Sequence, residues 1–168
     1  MRVTFEDIWL TYKNLTFYGS VYSINTAVII KIQKLNREAK LPNYAHPYDA
    51  GLDLFIIETK TLKSNERYGF ATGLAFELPK GFVGLVWDKS GLSSKFGLHV
   101  LSGVLDSGYR GELIVIVHNL SKKSYKFEKG DKVAQLLIQP IVNVKIKEVD
   151  QLSNTSRGDK GFGSSGRK

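Results

Sequence analysis

The chain has 168 residues, of which 42% are hydrophobic and 24% are charged, and its net charge is +8. This length suits one domain, and the balance of hydrophobic and charged residues excludes wholesale disorder. The absence of cysteine excludes disulfides, thiolate metal sites and cysteine nucleophiles. No apolar run approaches the ~20 residues that a membrane-spanning helix needs. We therefore expect a cytoplasmic protein without a membrane partner.

The positive charge is compatible with a polyanionic partner, either nucleic acid or a small polyphosphate. A merely basic, soluble surface explains the charge equally well, because the lysines and arginines are scattered and form no helical stripe. No nucleic-acid recognition motif accompanies them, so we expect no nucleic-acid partner.

Composition divides the chain into three parts. Residues 1–27 are rich in aromatic residues, Thr, Asn and Ser without clean periodicity, and they are interpreted as an N-terminal extension whose order the pattern leaves open. Residues 28–152 have the pattern of a β-domain. Residues 153–168 are Gly/Ser-rich and basic, which is typical of a flexible tail.

The central part consists of short hydrophobic runs separated by Gly, Pro, Asp, Asn and Ser, which predicts strands and turns. We expect turns at 78–82 and 128–131 and one short helix near 90–96. Many short strands at this spacing indicate a sandwich, a jelly roll or a barrel. The predicted strands are 28–32, 52–57, 68–78, 82–87, 112–119, 132–141 and 144–149.

Polar residues interrupt these strands at several places, and each has an ordinary structural explanation by itself. Asp53 lies between two leucines and is expected on the face opposite to them. Ser90 suits either a helix N-cap or, with Lys89, an anion site. Asp106 suits an Asx-turn in a hairpin-like loop, and Gln135 suits a hydrogen bond to a neighbouring strand.

The order and spacing of these clusters, together with the tail, resemble the five motifs of the trimeric, all-β dUTPase family. The resemblance extends from about residue 28 to residue 167, and its third and fifth motifs are the most specific. The matching segments are 50–54, 89–92 with Lys95, 103–111, 130–136, and Arg157 with 161–166.

This resemblance implies a distorted, β-clip-like jelly roll that forms a homotrimer with a mobile C-terminal arm, residues 153–168, closing over the active site. Each of the three active sites would draw residues from all three subunits. The implied reaction is hydrolysis of dUTP to dUMP and pyrophosphate by attack of water on the α-phosphate, with Mg²⁺ holding the triphosphate. Such an enzyme limits uracil incorporation into DNA and supplies dUMP for dTTP synthesis.

The resemblance also assigns roles in the third motif. Asp106 would be the general base that deprotonates the attacking water. Tyr109 would pack against the deoxyribose and leave no room for a 2′-hydroxyl. The hairpin backbone at Gly103, Val104 and Leu105 would bind the uracil edge and exclude other bases.

The remaining motifs would bind the phosphates and close the site. Lys89, Ser90 and Gly91 would bind the phosphates with help from Gln135, and Asp53 would act near the metal through a water molecule. In the arm, Arg157 would bind the terminal phosphate and Phe162 would stack on uracil. The neighbouring arm residues assigned to substrate binding are Gly163 and Ser164.

The chain departs from the family pattern at three positions. Asp88-Lys89 stands where Pro-Arg is usual, Lys132 replaces a common arginine, and Ser165 replaces a common threonine. Lysine keeps the positive charge but loses the bidentate fork of arginine. We therefore expect weaker or altered phosphate binding at Lys89 and Lys132.

Three other functions remain as alternatives. A dCTP deaminase on the same fold would need a glutamate at the position of Ile116, where no carboxylate is present. A dUTPase-like regulatory module would bind a protein partner, for which the aromatic N-terminus is the one candidate. A basic nucleic-acid binder is supported by net charge alone.

Overall fold

A computed structural model describes residues 28–160 of the chain, and within this range it contains ten β-strands and one short helix. The helix in this range lacks the length and hydropathy to cross a membrane. The elements are β1 Lys31–Lys34, β2 Leu52–Phe55, β3 Lys60–Leu62, β4 Arg67–Glu77, β5 Phe82–Trp87, α1 Ser90–Phe96, β6 Leu98–Leu101, β7 Val104–Asp106, β8 Glu112–Asn119, β9 Tyr125–Phe127 and β10 Lys132–Pro140.

The strands form two four-stranded sheets and one two-stranded sheet. The first sheet has the order β1-β4-β8-β6 and the second has the order β2-β10-β5-β7. The strands β3 and β9 form the third sheet, and every described strand pair is antiparallel. The predicted all-β, jelly-roll-like fold is confirmed.

The core lies between the sheets because alternate residues of each strand point to it. In β8, Leu113, Val115 and Val117 are buried, whereas Ile114 on the other face is exposed. Aromatic rings close one side of the core, where the centroids of the fully buried Phe70 and Phe127 lie 4.7 Å apart.

Several predicted elements have the expected bounds. The strands at 82–87 and 112–119 and the helix at 90–96 are confirmed residue for residue. The turn at 78–82 is closed by a hydrogen bond from the Phe82 N–H to the Pro79 carbonyl, and Gly81 has a φ of 82°. The turn at 128–131 is closed in the same way by the Asp131 N–H and the Glu128 carbonyl.

Other predictions differ from the structure at the ends and edges of the sheets. The first strand begins at Lys31, three residues later than its predicted start. The predicted strand at 144–149 is wrong for the described chain: the segment has no regular secondary structure, and Ile146 is 95% exposed. Its alternation is that of a strand, but no neighbouring strand within residues 28–160 pairs with it. The strands β3, β6, β7 and β9 are not among the predicted strands; each has only three or four residues.

Truncation of Phe127 tests the importance of the aromatic packing. We expect Phe127→Ala to lower the free energy of unfolding by about 3–5 kcal/mol, because it leaves a cavity among fully buried side chains. Urea denaturation at fixed protein concentration measures this change. Phe96→Ala is the control: Phe96 also packs on Tyr125, at 4.7 Å between centroids, but it is 43% exposed, so its loss should be clearly smaller.

Candidate active site

One row of side chains crosses three strands of the second sheet at the ends nearest to α1. Gln135 of β10 pairs with Asp53 of β2 on one side and with Trp87 of β5 on the other. Directly opposed residues of antiparallel strands present their side chains on the same face. Three residues that are distant in sequence therefore share one face beside the β5–α1 connection.

Asp53 is buried, with 3% of its surface exposed, and two lysines contact its carboxylate. Lys89 Nζ donates a hydrogen bond to Oδ1, and Lys132 Nζ lies 2.6 Å from Oδ2. The Oδ2 contact is a charge contact without the direction of a good hydrogen bond. Burial raises the pKa of Asp53, but contacts with Lys132 and Lys89 outweigh burial and hold the pKa below its ordinary value.

The same residues border a cleft of about 260 Å³, which we call the cationic cleft after Lys89, which lines it, and Lys132, which contacts Asp53 beside it. The lining also contains two carboxylates and consists of Ala45, Asp49, Ala50, Gly51, Asp53, Lys89, Gln135 and Leu137. Gln135 Nε2 donates a hydrogen bond of 2.8 Å to the Asp88 carbonyl, which fixes the amide in place. A Cβ at Gly51 would lie 2.6 Å from Gln135 Oε1, so a side chain at this position would displace the glutamine. The glycine of the first motif thus makes room for the glutamine of the fourth.

Sequence reasoning missed the structural role of Asp88. Its carboxylate accepts a hydrogen bond of 2.6 Å from the Val100 N–H and lies 2.8 Å from Nδ1 of His99. These contacts join the β5–α1 connection to β6, which begins after the helix. The only sequence signal was that an aspartate occupies a position where the family usually has proline.

The helix α1 begins at Ser90, and Lys89 is its N-cap residue with an extended backbone, φ −84° and ψ 121°. The alternative reading of Ser90 as an N-cap is wrong, since no side-chain hydrogen bond caps this helix. Gly91 faces open space, because a Cβ there would meet no atom within 4 Å. Ser90 and Gly91 are therefore accessible at the start of the helix, next to the cationic cleft.

The third motif forms β7 and the turn after it. The Val86 N–H donates a hydrogen bond of 2.8 Å to the Gly103 carbonyl, and a Cβ at Gly103 would lie 2.8 Å from the Val86 carbonyl oxygen. This close approach of two backbones requires glycine. Beyond it, Leu105 is buried, whereas Val104 and Asp106 are exposed on the opposite face.

Asp106 and Tyr109 lie at the two ends of a tight turn; we call the segment 106–111, which contains this turn, the carboxylate turn. The Tyr109 N–H donates to the Asp106 carbonyl at 3.1 Å, so the backbone rather than an Asx side chain closes the turn. Tyr109 Oη donates to the Glu112 carbonyl at 3.1 Å, and the ring lies over Gly111, where a Cβ would be 2.3 Å from Oη. The turn therefore fixes the backbone of Asp106 and holds the aromatic ring, while the Asp106 carboxylate is exposed.

The cationic cleft and the carboxylate turn are separated within one chain. In β5, Trp87 pairs with Gln135 of the cleft row, whereas Val83 pairs with Asp106. Four residues at about 3.3 Å each place the two rows roughly 13 Å apart. The structure thus brings Asp53, Lys89 and Gln135 together and leaves Asp106 and Tyr109 outside this group.

Arg157 lies in a turn near the end of the described range, where its Nε donates to the Lys160 carbonyl at 3.0 Å. Phe162, Gly163 and Ser164 lie outside the described residues, so the roles assigned to them stay predictions. Among residues 28–160, no group of three or more His, Cys, Asp or Glu side chains is arranged to hold a metal ion.

Comparison with known proteins identifies the family. A family model described as dUTPase matches residues 37–166. A deoxyuridine 5′-triphosphate nucleotidohydrolase of Alkaliphilus metalliredigens is 48% identical, covering 83% of this chain and 98% of its own length. The relative of the same description from Clostridium tetani is 44% identical, covering 84% of this chain and 99% of its own length.

Solved structures agree with the sequence comparison. The dUTPase of Staphylococcus bacteriophage 80alpha with dUPNHPP superposes with a TM-score of 0.78 at 34% identity, over 82% of this chain and 98% of that chain. A mutant dUTPase from phage phi11 of S. aureus, described with the coordination of a structural Mg(II) ion, gives 0.70 at 30% identity, over 75% of this chain and 99% of that chain. The resemblance that the five motifs indicate is confirmed, and the chain belongs to the dUTPase family.

Proposed function

We propose that the chain hydrolyses dUTP to dUMP and pyrophosphate, so that it limits uracil incorporation into DNA and supplies dUMP for dTTP synthesis. The observation that carries this proposal is the presence, in a member of the dUTPase family, of both a backbone-closed turn bearing an exposed carboxylate and a separate cationic cleft. Relatives at 44–48% identity are described as deoxyuridine 5′-triphosphate nucleotidohydrolases, and the phage 80alpha dUTPase was solved with dUPNHPP.

In the proposed mechanism, Asp106 orients a water molecule and takes its proton as the water attacks the α-phosphorus. A carboxylate is a weak base at neutral pH, so correct placement of the water and stabilisation of the phosphate charge must provide most of the rate. The backbone hydrogen bond across the carboxylate turn supports this role, because it fixes Asp106 relative to the sugar-binding ring of Tyr109.

Substrate selection is assigned to the hairpin and the turn. The ring of Tyr109 would pack on the deoxyribose, where a 2′-hydroxyl would collide with it. The backbone of Gly103, Val104 and Leu105 would bind the uracil edge, and a wrong base would leave buried polar groups unpaired. The close contact of Gly103 with Val86 supports this assignment, because it makes the uracil-binding backbone rigid.

The phosphates are assigned to the cationic cleft and the start of α1. Lys89 would supply positive charge, and the exposed Ser90 and Gly91 would supply a hydroxyl and backbone N–H groups. Gln135 would assist from the floor of the cleft. We also propose that residues 153–168 form an arm that closes the site, with Arg157 on the terminal phosphate and Phe162, Gly163 and Ser164 against the nucleotide.

Mg²⁺ is the proposed cofactor. Proteins usually bind Mg²⁺ through one or two carboxylates together with substrate phosphates, so the described residues fit an ion that the triphosphate itself largely holds. When bound, Mg²⁺ neutralises charge that develops on the phosphates. The water-mediated contact assigned to Asp53 stays a prediction.

We propose a homotrimer because the trimeric dUTPase family, to which the chain is similar, implies active sites shared between subunits. The separation of roughly 13 Å between the carboxylate turn and the row of the cationic cleft supports a site that a second copy completes with its own turn. The sheet face between them is apolar: Leu85 pairs with Leu137 and with Val104, which is 69% exposed. The exposed apolar side chains of 142–149 offer a second surface for a partner copy.

The first test is a substrate panel. With Mg²⁺, we expect pyrophosphate release from dUTP but not from dTTP or UTP, because the hairpin excludes the thymine methyl and Tyr109 excludes the 2′-hydroxyl. Pyrophosphate is measured by a coupled phosphate assay, and ammonia is measured in parallel with dCTP. Ammonia release would favour the deaminase alternative, and absence of dUTP turnover would refute the proposal.

The second test removes the base. Asp106→Asn should lower kcat by roughly 100- to 10,000-fold, since a positioned general base contributes about this factor. Its affinity for dUPNHPP, measured by titration calorimetry, should stay close to that of the wild type. Glu128→Gln is the control, because it converts an exposed carboxylate paired with Lys126 and should retain full activity. An active Asp106→Asn variant would show that another group is the base.

The third test asks whether one active site uses two chains. Asp106→Asn and Lys89→Met chains should each be nearly inactive. After they are unfolded together at equal concentrations and refolded, about a quarter of the sites would combine an intact turn with an intact cleft from different chains. Recovery near a quarter of wild-type activity is therefore expected. If the turn and the cleft of the same chain formed the site, mixing would restore nothing.

A further inference from the structure

We propose that Asp53 is a positioning residue: its carboxylate holds Lys89 and Lys132 together as a pair of cations beside the cleft and acts on the triphosphate through them. The proposal rests on the proposed function for the identity of the substrate. It replaces the water-mediated metal contact that the resemblance implies for Asp53 and assigns Asp53 no contact with the substrate or with the metal.

The exposure of the three side chains supports this arrangement. The side chain of Asp53 is 4% exposed, whereas those of Lys89 and Lys132 are 27% and 44% exposed. Both carboxylate oxygens face an ammonium group, one from each lysine. The two ammonium groups are therefore more accessible to a ligand than the carboxylate that they contact.

A β-bulge turns Lys132 toward this carboxylate. The pairing of β10 with β2 shifts register between Lys132 and Ala134. In a regular strand, residues three apart point to opposite faces, so Lys132 would point away from the face that carries Gln135 and Asp53. The extra residue of the bulge reverses this direction and brings Lys132 to the same face.

Lys89 and Lys132 occupy the two positions where the family motifs usually have arginine. Both lysines contact the same carboxylate, that of Asp53, which gives the two replacements a common explanation. An arginine fork uses both oxygens of a carboxylate, whereas a lysine makes a point contact with one. One aspartate can therefore hold two lysines, one on each oxygen. The ammonium groups repel each other, and the carboxylate between them offsets this repulsion. These three side chains together keep one excess positive charge, and the carboxylate of Asp49 also lines the cleft.

The test uses full-length chains and inorganic pyrophosphate as a probe, in EDTA, so that no metal takes part. Titration calorimetry should show that Asp53→Asn binds pyrophosphate about tenfold more weakly, because the lysines lose their common anchor.

In turnover assays, Asp53→Asn should have a KM for dUTP that is raised more than its kcat is lowered, and the Mg²⁺ concentration for half-maximal rate should not change. Glu128→Gln, which breaks an exposed lysine–carboxylate pair, should bind pyrophosphate like the wild type.

A mutant cycle separates positioning from a general loss of structure. Asp53→Asn should weaken pyrophosphate binding much less in a Lys89→Met/Lys132→Met background, since no lysines remain to be positioned. If Asp53→Asn does not fold, a mutant cycle of Lys89→Met and Lys132→Met is measured instead. Losses of pyrophosphate affinity that are not additive support a coupled pair of lysines. Additive losses, or an increased Mg²⁺ requirement with unchanged pyrophosphate binding, would overturn the inference. Wild-type turnover of dUTP separately tests the proposed function.

Discussion

A carboxylate can stay ionised inside a protein only when neighbouring charges or donors compensate for the lost water. The effective penalty for burying one ion is several kcal/mol, and an unpaired charge at Asp53 would incur it. Lys89 and Lys132 provide the compensation, and by doing so they connect β2 to the β5–α1 connection and to the start of β10. The geometry of the cationic cleft depends on this contact, because Gln135 and the first residues of α1 lie on the same three elements.

The strand β5 sets the distance between the cationic cleft and the carboxylate turn. One end leads to Lys89 and Ser90, and the other pairs with the strand that ends in Asp106. A strand is stiff and has a fixed rise per residue, so no side-chain movement within the chain closes a gap of roughly 13 Å. The proposed division of the site between copies thus rests on sheet geometry, not on loop flexibility.

Much of the fold and the family could be predicted from the sequence, and physical reasons account for the rest. The strands β5 and β8 are apolar runs bounded by turn residues, and the five motifs occur in the order of the dUTPase family. Short strands such as β7 carry too few residues for a periodic signal. The strand predicted at 144–149 has the right pattern, but a pattern does not supply a pairing partner.

The contacts within the site were harder to predict than the residues that make them. The sequence singles out Asp53 as a motif residue and Lys89 and Lys132 as departures from the family pattern. That both lysines contact the carboxylate of Asp53 depends on strand register, which the sequence does not show. The anchoring of Asp88 to β6 likewise joins positions on either side of a helix. Such contacts follow from the three-dimensional path of the chain, which local patterns do not contain.

The bulge in β10 makes the direction of Lys132 depend on backbone geometry as well as on residue type. If the same residues paired with β2 in a regular ladder, Lys132 would turn to the opposite face, although every chemical group would be retained. A change that straightens β10 can therefore act like a charge substitution in the cleft. A comparison of charged residues alone would overlook such a change, because none of them is replaced.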